Sequence, residues 1–411
     1  MLLCLDRLVP HASIRPLLLL AVPALALTGC GGQAAPSGAG GSSTVAPSAA
    51  TPSTTDSTAS AAPSSPAGAS CLGLATGMSR EQQIGQLFMV GTEASHADAA
   101  LQQVVERHHV GSVIYLGTAE RSRGETAAMG SRMSGWASGE VGLLVAVDQE
   151  GGQVQRLKGS GFSHMPSALT QSELSDEALR TSWLGWGKEL RAAGVRYDLA
   201  PVADVVPADM ASANEPIGAL RRGYGATDEQ AGAKAAAVIQ GLSEAGVASS
   251  VKHYPGLGRV TTNTDFGSAT DTVTTLDDTQ SFRTAMAAGP SSVMVSSTIY
   301  SRIDPDVHAV FSSRIITDGL RGRDGWDKVV ISDDMGAAAA VADVPAKERA
   351  VRFLAAGGDL VINADAGLMD QMVAGVEERA EADQAFAEAL PTHVARVLEL
   401  KAQVGLVECS R

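Results

Sequence analysis

From Cys71 onward, short apolar runs alternate with longer helical stretches eight times, and this alternation restricts the fold more than any other property of the sequence. The runs are residues 84–90, 112–116, 143–147, 196–199, 248–252, 292–296, 328–331 and 359–362. Each is bounded by Gly or polar turn residues, and their near-continuous apolar character suits parallel strands buried on both faces. Between them, residues 176–193, 228–245 and 345–356 place apolar side chains at a helical period. Eight strand–helix units predict a single (β/α)8 barrel, closed by C-terminal helices over residues 368–404. An open doubly wound sheet would need a Gly-rich phosphate loop after its first strand. The chain instead reads Gly91-Thr92-Glu93-Ala94 there.

Upstream the sequence changes character. Arg7 and Arg15 precede an apolar run at 17–27, which at about 11 residues is too short for a bilayer core that needs roughly 20. It ends in Leu27-Thr28-Gly29-Cys30, which resembles the lipobox of bacterial lipoproteins. Residues 1–29 therefore read as a signal peptide and Cys30 as the lipidated first residue of the mature chain. Residues 30–70 follow as a linker almost entirely of Ala, Ser, Thr, Gly and Pro, with Val45 as the one large apolar side chain after Cys30. Such a composition cannot offset the entropy of ordering, so it predicts a flexible tether. A diacylated cysteine is a two-chain anchor. The expected location is extracytoplasmic, on the cell membrane. With Cys4 in the signal and Cys30 lipidated, Cys71 and Cys409 remain at the two ends of the ordered region, which outside the cytoplasm predicts a disulfide joining the domain's termini, with two unpaired thiols as the alternative.

Acidic side chains outnumber basic ones 45 to 31, for a net charge of −14. Nucleic-acid binding requires a basic face to neutralise phosphates, and that class is excluded as a partner. The eight His are scattered without a His-Glu-x-x-His run, so neither a metal nor another cofactor is expected. No Gly-x-Ser-x-Gly elbow occurs, which removes an α/β-hydrolase esterase. His108-His109 precedes a strand and reads as surface at the barrel's bottom.

A (β/α)8 barrel carries its site at the C-terminal ends of its strands. Charged residues stand there repeatedly: Asp148-Gln149-Glu150-Gly151-Gly152-Gln153-Val154-Gln155-Arg156-Leu157 after the third run, Ala200-Pro201-Val202-Ala203-Asp204 after the fourth, Lys252-His253-Tyr254-Pro255-Gly256-Leu257-Gly258 at the fifth, and Ser332-Asp333-Asp334-Met335 after the seventh. The first, third and fourth of these segments, in this order, resemble the signatures of glycoside hydrolase family 3, in particular its single-domain bacterial β-N-acetylhexosaminidases. The resemblance implies that Asp333 is the catalytic nucleophile. It also implies that Asp148, Arg156, Arg222 (in Arg222-Gly223-Tyr224-Gly225), Lys252 and His253 hold the hydroxyls of the terminal sugar. Retaining glycosidases pair two ionisable groups about 5 Å apart, one attacking and one protonating the leaving oxygen. Cations such as Lys252 and Arg156 near Asp333 would keep it ionised.

The loop after the fifth strand departs from the family pattern. Where the family has Asp-Ser-His, this chain has Asn263-Thr264-Asp265. Asp265 is thus the candidate acid/base and Asn263 the candidate orienter. The implied activity is release of terminal N-acetylglucosamine from peptidoglycan fragments by a lipid-anchored enzyme. The alternatives are a sugar-binding envelope lipoprotein with little or no turnover, and another family 3 β-glycosidase.

Overall fold

The computed structural model describes residues 71–137 and 139–409. The signal segment, Cys30 and the tether lie outside the described residues. Eight parallel strands close into a barrel: β1 (Phe88–Glu93), β2 (Ser112–Leu116), β3 (Leu144–Val147), β4 (Tyr197–Asp198), β5 (Ala248–Tyr254), β6 (Ser292–Val295), β7 (Val329–Asp334) and β8 (Leu360–Asn363). Each strand pairs with its neighbours in sequence, and β8 returns to β1 through the partners Phe88–Val361, Met89–Ile362 and Val90–Asn363. The strands are buried on both faces along most of their length, which is why they read as continuous apolar runs rather than alternating ones.

Several of the helices between strands start at a side-chain cap that the sequence supplies. Ser175 accepts the Ala178 N–H ahead of the helix Asp176–Ala192, and Thr227 accepts that of Gln230 ahead of Asp228–Glu244. Both helices open with a pair of acidic residues, which suits the positive end of the helix dipole.

The bounds of β1, β5 and β7 differ most from those expected. Ile84 lies in the helix Arg80–Gln86, not in β1, because Ser79 and Gln82 form a reciprocal capping box that commits the segment to a helix before the apolar run begins. At the other end, β5 and β7 run further than their apolar cores. They include Lys252, His253 and Tyr254, and Asp333 and Asp334. Both strands shift register as they reach these polar residues, β5 against β6 between Val251 and Tyr254 and β7 against β8 between Ile331 and Asp334. Such bulges bend a strand and re-aim its side chains next to active sites.

The bottom of the barrel is sealed by the C-terminal helix Gln384–Gln403. Its Lys401, fully buried, donates to Gln86 Oε1 at 2.6 Å, Gly111 O at 2.7 Å and Gly142 O at 3.1 Å, three acceptors arranged around one ammonium. Just beyond, the Gly142 N–H donates to Leu406 O, and a Cys71–Cys409 disulfide joins the ends of the described chain, with Cα atoms 4.9 Å apart across a sequence separation of 338. Cross-linking so long a loop removes unfolded-state entropy worth up to about 5 kcal/mol in the chain-entropy picture. Cys71→Ser should therefore melt several degrees below the wild type under oxidising conditions, and the two should converge in excess dithiothreitol. Equal melting temperatures in both buffers would show that the cross-link adds nothing.

Candidate active site

A cavity of about 630 Å³ opens at the C-terminal ends of the strands. All eight residues singled out in the sequence for sugar chemistry line it: Asp148, Arg156, Arg222, Lys252, His253, Asn263, Asp265 and Asp333. They come from four separate strand ends, so only closure of the barrel brings them together.

The segment after β3 folds back as a short antiparallel pair, Gln149–Gly151 with Val154–Gln155. Gly151 and Gly152 make the turn at φ +99° and +57°, and a Cβ on Gly151 would lie 2.3 Å from Pro166 O, so both positions require glycine. Gln149 then fixes the returning strand, accepting the Arg156 and Leu157 N–H groups at 2.9 Å each. This places Arg156 on the cavity wall.

Beneath it lies a buried charge network centred on Glu150, a residue present in the motif but not assigned a role from sequence. Glu150, 4% exposed, receives Arg222 in a two-pronged pair at 2.7 and 2.8 Å and Lys252 at 2.7 Å. Burial opposes its ionisation, but Arg222 and Lys252 outweigh that and hold its carboxyl far below the usual range. Lys252 also donates to Asp148 at 2.5 Å. Burial works against the Lys252 charge, and the Asp148 and Glu150 carboxylates overcome it, raising its pKa. Asp148 is thus held at the cavity mouth as an anionic acceptor, suited to a pair of sugar hydroxyls. Behind the network Asp198 accepts the Gln149 N–H at 3.0 Å. Burial pushes its carboxyl up to about 8, so it stays protonated at neutral pH.

His253 is fixed by a second carboxylate, one that the sequence placed at a strand end without a role. Asp204, with no exposed surface, accepts His253 Nδ1 at 2.7 Å and the backbone N–H groups of His253 and Leu257 at 3.2 and 2.7 Å. With Nδ1 committed, His253 is left to present Nε2 to the cavity.

Asp333 and Asp334 are separated by their partners. Asp334 is saturated: its Oδ1 accepts from Gly336 and Ala364, and its Oδ2 from Ala337 and Ala338, at 2.8–3.0 Å. Asp333 accepts only the Asp334 N–H, at 2.9 Å, and keeps an oxygen for chemistry. Burial pushes the Asp333 carboxyl up to about 6. The field of His253 opposes the rise, while Asp265 and Asp334 add to it. This corrects the expectation that Lys252 and Arg156 would hold Asp333 ionised, since Lys252 is committed to Asp148 and Glu150. Ionised for the most part at pH 7, Asp333 is more basic than an ordinary carboxylate.

Asp265 lies on an exposed loop at the cavity rim, beside Phe266, which is 83% exposed. Asn263 Oδ1 accepts the backbone N–H of Asp265 at 3.0 Å, so it shapes the loop and does not hold the carboxylate itself. Among the described residues no group of three or more His, Cys, Asp or Glu side chains is arranged to hold a metal ion.

The arrangement offers a half-buried carboxylate with one oxygen left unpaired, a second carboxylate exposed at the rim, and charged side chains held in place by buried partners. Similar proteins are known. The β-hexosaminidase of Stenotrophomonas maltophilia strain K279a is 35% identical over 251 residues, covering 57% of this chain and 71% of that protein. The crystal structure of β-N-acetylhexosaminidase from Beutenbergia cavernae DSM 12333 superposes with a TM-score of 0.78 at 42% identity, covering 79% of this chain and 99% of that one. A family 3 β-N-acetylglucosaminidase from Paenibacillus sp. str. FPU-7 gives a TM-score of 0.72 at 27% identity, over 81% of this chain and 64% of that one. The model of the glycosyl hydrolase family 3 N-terminal domain matches residues 79–400, and with strands, cavity and carboxylates so placed, the chain belongs to glycosyl hydrolase family 3.

Proposed function

We propose that this enzyme is a retaining exo-β-N-acetylglucosaminidase that releases terminal N-acetylglucosamine from peptidoglycan fragments, held outside the cytoplasm by a lipid on Cys30. The observation that carries the chemistry is Asp333, half-buried at the cavity with a free oxygen, in the field of a second carboxylate, Asp265. The names of the similar proteins support the choice of sugar. The lipobox-like Leu27-Thr28-Gly29-Cys30 supports the anchor, and an anchored enzyme of the envelope meets cell-wall sugars first.

Asp333 attacks the anomeric carbon as the bond to the leaving oxygen breaks. That oxygen takes the bonding electrons and a proton from Asp265. Water then attacks the same carbon, Asp265 takes its proton, and Asp333 departs as a carboxylate, so the anomeric configuration is retained. Asp148, Lys252 and His253 hold the sugar through both steps.

A nitrophenyl N-acetylglucosaminide assayed beside the matching glucoside tests the reading. The N-acetylglucosaminide should be preferred in kcat/KM by more than about tenfold, and a preference for the glucoside would make this another β-glycosidase. Binding without turnover of either would leave a sugar-capturing protein. Cys30→Ala should move the protein from the membrane to the soluble fraction, and retention would refute the anchor.

The raised Asp333 pKa sets the acid side of the pH profile. The attacking form is ionised, so kcat/KM should fall as pH drops through about 6. Because the Asp265 charge contributes to that rise, Asp265→Asn should shift the acid limb to lower pH on an activated nitrophenyl substrate. An acid limb unmoved by the substitution would show that the two carboxylates do not sense each other.

A further inference from the structure

Asp334 touches no reacting atom in the mechanism above, yet it is the most heavily hydrogen-bonded carboxylate at the cavity. Its four accepted N–H groups include those of Gly336, Ala337 and Ala338, which wraps the chain leaving β7 tightly around one side chain. The Arg349 guanidinium, buried beneath, takes the carbonyls of the same turn, Met335 O at 2.7 Å and Gly336 O at 3.3 Å. The turn also lies close against β8, since a Cβ on Gly336 would fall 2.3 Å from Asn363 Oδ1. The next two N–H groups point across the cavity rim to another loop: Ala339 donates to Asp265 O at 3.2 Å and Ala340 to Thr264 O at 3.1 Å.

We infer that Asp334 is a positioning residue that couples the nucleophile to the acid/base, holding the exposed Asp265 loop in register with Asp333 through the 336–340 turn. The inference rests on Asp265 being the proton donor. Asp333 and Asp334 are adjacent on one strand, so the strand that carries the attacking oxygen also sets, two hydrogen bonds away, where the proton is delivered. Without the 336–340 turn the exposed loop would keep its own Asn263 turn and the Asn263 N–H donating to Glu215 Oε2 at 3.2 Å, leaving the Asp265 end freer to move, and a misplaced donor fails when the leaving group most needs its proton.

Two substitutions in the full-length protein test this. Asp334→Asn keeps the size of the side chain but halves its acceptors. Ala339→Pro removes one N–H donor at a position that tolerates proline, the first residue of the short 3-10 turn Ala339–Val341 after an extended Ala338 at ψ 128°. In both variants the rate on an alkyl N-acetylglucosaminide should fall about tenfold or more relative to that on the dinitrophenyl one, because only the former needs an acid. Ala339→Pro added to Asp265→Ala should cost nothing further, since the tethered group is already gone. The Phe266 and Gly267 amides, bonded to Asn263 O at 3.0 and 3.1 Å, should exchange with deuterium faster in both single variants. An unchanged leaving-group ratio in a folded variant, or an additive loss in the double variant, overturns the inference while leaving the proposed activity standing. If the wild type hydrolyses no N-acetylglucosaminide, the exchange rates alone decide the tether: faster supports it, unchanged overturns it.

Discussion

Asp333→Ala should fold with a melting temperature near or above that of the wild type and lose at least about 10³-fold in kcat on every substrate, activated or not, as removal of a covalent nucleophile does elsewhere. The stability half of this expectation follows from the sign of the pKa shift. A carboxyl whose folded pKa is raised to about 6 contributes stability present below its unfolded value near 4, which is lost as pH rises through 6. At pH 7 the half-buried charge is a liability, and its removal relieves the fold. Substitution of Asp334 should do the opposite, since four backbone N–H groups would lose their acceptor. A turnover rate within tenfold of the wild type in Asp333→Ala would sink the double-displacement mechanism.

Asp265→Ala should give the second largest effect, and its size should depend on the substrate. General acid catalysis contributes about 10²–10⁴-fold where the leaving group is poor and little where it is good. The variant should therefore keep most of its first-step rate on a dinitrophenyl glycoside and lose that full factor on a disaccharide. Azide should restore part of the turnover, because it attacks the glycosyl-enzyme without a general base. Phosphate should not accelerate the wild type. An ionised Asp265 in the acid/base position repels an approaching phosphate, whereas water carries no charge to repel. An equal loss on all leaving groups would mean that Asp265 only binds sugar, and His253 would become the donor to test.

The barrel was legible because its determinants are local. Eight buried strands leave eight apolar runs, and caps such as Ser175 and Thr227 mark the helix starts. Where two local signals competed, at Ile84, the apolar run hid a capping box already present at Ser79 and Gln82. The site was legible to the extent that barrel geometry gathers strand ends, which placed all eight singled-out residues on one cavity. What could not be read was which carboxylate pairs with which cation. Glu150 meets Arg222 across 72 residues, and nothing in the sequence distinguished it from Asp148 as the buried member. Asp204 was visible at a strand end, but its role depends on the return of His253 from β5. The family resemblance pointed to Asp333 rather than Asp334, but the physical reason for that choice is invisible in sequence. It appears only when the turn that follows occupies both oxygens of one and leaves the other free.

The central claim, a covalent glycosyl-enzyme on Asp333, is tested most directly by trapping. Incubation with a 5-fluoro N-acetylglucosaminyl fluoride slows both steps while its good leaving group still lets the first proceed, so the intermediate accumulates. Mass spectrometry of the intact protein should show one added sugar, and fragmentation of the proteolysed adduct should place it on Asp333. A label on Asp334, or no adduct while the reagent is turned over, would contradict the account, the latter pointing to participation by the substrate's own acetamido group.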